Sequence, residues 1–207
     1  MRYISTRGGA PVLDFRNVTL AGLASDGGLY VPESWPQFTR DQIAAMAGLS
    51  YVETAVRVCA PFVGDALSEA ELRALFTQAY GSFNHAAVTP LVQLDHRHWL
   101  LELFHGPTLA FKDVGARFMS RVMAHLLRHE TNKVTVLVAT SGDTGSAVAQ
   151  GFYRVPGVEV VILYPSGKVS AVQEAQFCTL GENVTALEIS GTFDDCQRLV
   201  KTAFAAN

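Results

Sequence analysis

Val134-Thr135-Val136-Leu137-Val138-Ala139 runs without a break into Thr140-Ser141-Gly142-Asp143-Thr144-Gly145, and the reading of this stretch decides the fold. Its first half is a continuous apolar, β-branched run, the composition of a strand buried in a parallel sheet. Its second half is small and hydroxylated and opens a helix expected over 145–153. The alternation continues downstream. Val158–Leu163 is a second buried strand, 169–180 a helix closed by Gly181, Val184–Ile189 a third strand and 194–206 a helix. Upstream, His98–Phe104 is a strand candidate. In 114–129, Val114, Phe118, Val122 and Leu126 recur every fourth residue, with Arg117, Arg121 and Arg128 elsewhere, which predicts an amphipathic helix. Strands alternating with helices in this way predict βα units and an open, mainly parallel α/β sheet.

The rhythm differs before Thr89-Pro90. Residues 1 to about 40 are rich in Gly, Pro and Asp, as in Ser25-Asp26-Gly27-Gly28 and Val31-Pro32, so irregular structure with one or two short strands is expected. Residues 41–58 carry a broken helical pattern. Ser68-Glu69-Ala70-Glu71 has capping-box spacing, with Leu72, Leu75, Phe76 and Ala79 on one face behind it and Gly81 as the stop. The expected organisation is a mostly helical region over 1–90 and an α/β region over 91–207.

The 207 residues are 49% hydrophobic and 17% charged, with a mean hydropathy of +0.19, which is a globular composition. A net charge of −3 supplies no long-range field for nucleic acid or an anionic membrane, so neither is an expected partner. Cys59, Cys178 and Cys196 are widely spaced and odd in number, which suits a reducing compartment. The N-terminus has no apolar run of signal-peptide type, and no stretch approaches the roughly 20 apolar residues of a membrane span, so a cytoplasmic location is expected. His125 and His129 lie one helical turn apart, but no acidic residue completes an H-E-x-x-H pattern, and no metal site is expected. Walker, complete G-x-G-x-x-G and G-x-S-x-G motifs are absent from the sequence.

In an open α/β sheet, ligands bind beyond the carboxyl ends of the strands, which selects the loops 105–113, 140–144, 164–168 and 190–193. In the first, Lys112 follows Leu109, Ala110 and Phe111 at a helix start, with Asp113 placed to cap the helix. An amine attacks a carbonyl only when neutral, and apolar neighbours and a helix N-terminus both favour that form. An ordinary surface lysine near a helix start reads the same way. In the second, backbone N–H groups and the hydroxyls of Thr140, Ser141 and Thr144 make an anion site for a carboxylate or phosphate. The alternative is a plain helix start capped by Ser141, Asp143 or Thr144. In the third, Lys168 is either a phosphate contact or a solvated side chain.

Glu102-Leu103-Phe104-His105-Gly106-Pro107-Thr108-Leu109-Ala110-Phe111-Lys112-Asp113 resembles the cofactor-lysine segment of the threonine synthase family, and Thr140–Gly145 resembles its substrate loop. Gly22–Pro32 and Val161–Ser170 are similar to the same family, so the resemblance spans essentially the whole chain. It implies a fold-type II pyridoxal-phosphate lyase that converts O-phospho-L-homoserine and water into L-threonine and phosphate, as a monomer or homodimer. Lys112 would hold pyridoxal 5'-phosphate as a Schiff base and then act as a proton shuttle, with Phe111 and Asp143 at the cofactor. Thr140, Ser141, Gly142, Thr144, Gly145 and Lys168 would bind the substrate. Sister families place an Asn where this chain has Asp143, so the carboxylate would either share a proton with the cofactor's phenolic oxygen or turn away to cap the helix. Family members are longer, and the glycine-rich loop for the cofactor phosphate has no counterpart here. The expectation is an N-terminal portion that is inactive alone. A related phospho-lyase, a dehydratase or a non-catalytic fragment are the alternatives.

Overall fold

A computed structural model describes residues 1–131 and 133–205, and the chain divides into two compact units, the first Met1–Gln78 and the second from Ala79 onward. In the first unit, β1 (Tyr3–Ser5) pairs antiparallel with β2 (Tyr30–Pro32), with Ile4 opposite Val31. Between them α1 (Phe15–Ala21) begins at Asp14, whose side chain accepts from the Asn17 N–H. The return to β2 is organised by Asp26. Its carboxylate accepts from Ser5 Oγ at 2.8 Å, Gly9 N at 2.8 Å and Gly28 N at 2.9 Å. These donors, the Gly28 N–H foremost, hold the Asp26 carboxyl below the usual carboxylate range.

The broken pattern at 41–58 resolves into α2 (Arg40–Ala44), opened by a Thr39/Gln42 capping box, and α3 (Tyr51–Val63), capped by Ser50. Tyr3 ties β1 to α3 by donating its hydroxyl to the Phe62 carbonyl at 2.8 Å. In α4 (Glu69–Tyr80) the predicted capping box is present: the Glu71 N–H donates to Ser68 Oγ and the Ser68 N–H to Glu71 Oε2. Leu72, Leu75, Phe76 and Ala79 are all buried.

The second unit opens with β3 (Leu91–Gln93) and β4 (Trp99–Leu101), which pair with each other antiparallel. Asp95 closes the hairpin by accepting from the Arg97 and His98 N–H groups. This corrects one expectation: the 98–104 segment contributes a short strand, but not to the parallel sheet. A tight turn lets it pair locally, where a parallel partner would need a long crossover.

The rest alternates as predicted: α5 (Lys112–Leu127), β5 (Val134–Ala139), α6 (Asp143–Phe152), β6 (Val158–Pro165), α7 (Ala171–Cys178), β7 (Val184–Ile189) and α8 (Phe193–Ala205). The expected end of the last helix, Ala206, lies outside the described residues. The three strands form one parallel sheet in the order β5-β6-β7, with Val134 opposite Val158 and Val160 opposite Val184. β6, paired on both sides, is the most buried, and Val160, Ile162, Phe152 and Phe177 are among the fully buried side chains.

The buried face of α5 is not the one the apolar stripe predicted. Val114 and Phe118 are half-exposed, while Asp113, Ala116, Arg117 and Ser120 are buried, an i, i+3, i+4, i+7 set. Only from Val122 onward does the stripe coincide with the core, through Val122, Met123 and Leu126.

Candidate functional site

Gly106 to Phe111 bends so that Lys112 becomes the first residue of α5. The Leu109 N–H donates to the Gly106 carbonyl at 3.0 Å, and the Asp113 N–H to the Ala110 carbonyl at 3.0 Å. Leu109 adopts φ +61°, a left-handed conformation that costs a branched residue ~1 kcal/mol. Only glycine fits at 106, because a Cβ there would run into the carboxyl group of Asp113. Lys112 is half-buried, with Nζ 4.0 Å from the centroid of the Phe111 ring. Both side chains line a cavity of about 450 Å³, together with Leu103, Val114 and Met119 and, from α6, Thr144 and Val148.

Asp113 does not cap α5. The helix starts two residues earlier than such a cap requires, with Phe111 at the cap position and no side-chain cap bond. The Asp113 carboxylate is fully buried, accepts the Thr108 N–H at 2.8 Å through Oδ2, and has Arg117 Nε 3.9 Å from Oδ1. Thr108 Oγ1, Asp113 Oδ1 and Arg117 Nε have no hydrogen-bond partner among the described residues. Burial pushes the Arg117 guanidinium below the usual arginine range, with Asp113 opposing and Arg121 adding to the shift. This cluster was missed from the sequence. Its signal was the i, i+4 spacing of an acid and a base beginning beside the lysine.

In the second loop Thr140 turns inward and is 1% exposed. Its Oγ1 accepts from Gly142 N at 3.0 Å and Gly145 N at 2.9 Å and donates to the Gly142 carbonyl at 3.1 Å. Gly145 lies so close to the Thr140 side chain that a Cβ would collide with it. The N–H groups of Ser141, Asp143 and Thr144 have no acceptor among the described residues, and the last two begin α6. Together with the helix dipole they give the helix start the donors and the positive end that an anion requires.

The expected Asp143 cap is absent: Gly142 holds the cap position and Asp143 is the exposed first residue of the helix. A side chain there cannot reach the amides that a cap residue reaches, and Thr140 already serves Gly145. The structure thus brings Lys112, Phe111 and Thr144 to one cavity. Thr140 and Gly145 build the loop beside it. Ser141, Gly142 and Asp143 do not line the cavity, and neither does Lys168, which is exposed after β6.

A lysine in an apolar cavity, with a second helix start and its free amides beside it on a βα sheet, is an arrangement suited to an enzyme that works through a carbonyl cofactor. The chain belongs to the pyridoxal-phosphate dependent enzyme family, whose match covers residues 83–207. Residues 2–80 match the family described as threonine synthase N terminus, which narrows the likeness within that class. Threonine synthase of Pseudomonas aeruginosa is 51% identical over 206 residues, 99% of this chain and 44% of that protein. The crystal structure of pyridoxal-phosphate-bound threonine synthase from Brucella melitensis superposes with a TM-score of 0.91 at 50% identity, over 99% of this chain and 44% of the other. Threonine synthase from Escherichia coli superposes at 0.87 with 40% identity, over 100% of this chain and 47% of the other. The chain therefore spans less than half the length of these relatives.

Pyridoxal phosphate is the cofactor of the family, and the residues present fit it. The Lys112 amine is half-buried beside an aromatic ring in an apolar cavity. The unpartnered amides of Ser141, Asp143 and Thr144 supply donors for an anion at the neighbouring helix start.

Proposed function

We propose that this chain carries the lysine and part of the substrate site of a threonine synthase, which converts O-phospho-L-homoserine and water into L-threonine and phosphate. The observation that carries the reading is Lys112 in the cavity it shares with Thr144 at the start of α6. When bound there, pyridoxal phosphate would supply an electron sink for charge at the substrate's α carbon.

The chain's own residues do the rest. Lys112 Nζ would hold the cofactor, and its amine would take and return protons at the substrate's α and β carbons. Leu103, Phe111, Met119 and Val148 surround that amine with apolar side chains. The Ser141, Asp143 and Thr144 amides and the Thr144 hydroxyl hold the substrate carboxylate or phosphate, and Thr140 keeps the loop in shape. Lys168 supplies a further positive charge for the phosphate from the loop after β6. Asp143, exposed at the first position of α6 and not its cap, would meet the cofactor's phenolic oxygen only by sharing a proton with it. Residues 91–207 are read as the catalytic-domain part, of fold type II, and residues 1–90 as the helical part.

The enzyme is read as cytoplasmic, and as a monomer or homodimer. Free cysteines suit that location, and among the described residues no helix is long and apolar enough to cross a membrane. The test uses the full gene product. Borohydride should fix the cofactor on Lys112, and phosphate released from phosphohomoserine should match threonine formed. Phosphate without threonine would point to another phospho-lyase, and turnover by Lys112→Ala would refute the assignment.

A further inference from the structure

Three buried polar atoms without partners, a left-handed leucine and a glycine that admits no side chain converge on the turn that ends at Lys112. Asp113 is common to them. Its Oδ2 accepts the Thr108 N–H, its carboxyl group occupies the space a Gly106 side chain would need, and its Oδ1 faces Arg117 Nε across 3.9 Å. Among the described residues no other side chain accepts a backbone N–H of the 106–111 turn. A strained backbone persists only where its surroundings hold it, and here one buried carboxylate provides the anchor.

We propose that Asp113 is a positioning residue for Lys112: by holding the Thr108 N–H and packing against Gly106, it fixes the turn and with it the place of the amine. Arg117 keeps that carboxylate in its buried position from one helical turn further on. The role rests on the reading of Lys112 as the cofactor lysine. Asp113 touches no reacting atom, so its effect is on where the amine stands.

The experiment compares parent, Asp113→Ala, Asp113→Ser and Asp113→Asn in the full gene product. Three quantities are measured: the rate at which the apoprotein captures pyridoxal phosphate, the kcat and KM for phosphohomoserine, and the amide proton shift and exchange of Thr108. Misplacement of a reacting group by about 1 Å lowers rates about 100-fold. Asp113→Ala should slow capture and kcat on that order with KM nearly unchanged, and should expose the Thr108 amide to exchange. Asp113→Asn keeps an oxygen for the Thr108 N–H and should restore most of both rates. If Asp113→Ala does not fold, Asp113→Ser, too short to reach Thr108, should show the same slowing.

Equal capture rates in parent and Asp113→Ala would overturn the positioning role while leaving the function intact. So would losses that follow only the folded fraction and that Asp113→Asn does not rescue. A parent that borohydride does not label overturns the functional reading, and this inference with it.

Discussion

In the loop 140–145 one hydroxyl, Thr140 Oγ1, serves two amides and a carbonyl, and the loop closes on itself. In the turn 106–112 one carboxylate serves one amide, and three buried polar atoms nearby have no partner among the described residues. Both bring a helix start to the same cavity. The first is a self-satisfied scaffold that leaves its remaining amides free for an anion. The second is strained at Leu109 and depends on an anchor one residue beyond the lysine it presents. The difference separates two jobs: holding a charge in place and presenting a reactive amine.

Substitutions can break this contrast. The largest effect is expected from Lys112→Ala, which should lower turnover by about 1000-fold or more while thermal stability stays near the parent's. Steady-state kinetics beside a melting curve test both halves. Thr140→Val should do the reverse in kind, destabilising by about 3 kcal/mol because two buried amides lose their acceptor. Denaturant unfolding measures that, and weaker substrate binding should accompany it. Gly106→Ala should cost about 2 kcal/mol by overpacking against Asp113, with slower capture of pyridoxal phosphate as its second sign.

The smallest effect sharpens the contrast through a third, exposed turn. The Asp26 carboxyl is held below its ordinary value by the Gly28 N–H, Ser5 and other amides. A depressed folded-state value means the stabilisation is complete above the unfolded value of about 4 and is lost as pH falls through the folded one. Asp26→Asn should therefore melt below the parent near neutral pH and converge with it in acid. A gap that persists at low pH would refute the assignment of that stability to the charge.

Much of this was legible in the sequence, because periodicity and turn chemistry are local. The runs 134–139, 158–163 and 184–189 are the three parallel strands, and the capping box at Ser68 is present. Lys112, Phe111 and Thr144 meet in one cavity. What was not legible turned on single-residue offsets and on long-range packing. Asp113 and Asp143 read as caps because each stands near a helix start, yet α5 begins two residues and α6 one residue too early for them to cap. Thr140 read as substrate-facing, but whether a hydroxyl turns inward depends on the amides that come to meet it. Arg117 read as solvated because arginines usually are, and its burial follows from α5 turning the face of Asp113 and Ser120 inward. The short helix α1 was overlooked although Asp14 supplied its cap.

The register of the parallel sheet bears on time. Residue 134 meets 158 and residue 160 meets 184, so both crossovers close spans of equal length. Loop-closure entropy grows with the logarithm of span, so the chain has no entropic reason to form one pairing before the other. Which pairing comes first is then decided by the helix that docks first. β6 is needed by both pairings, so the speed of folding in this half rests on that one strand.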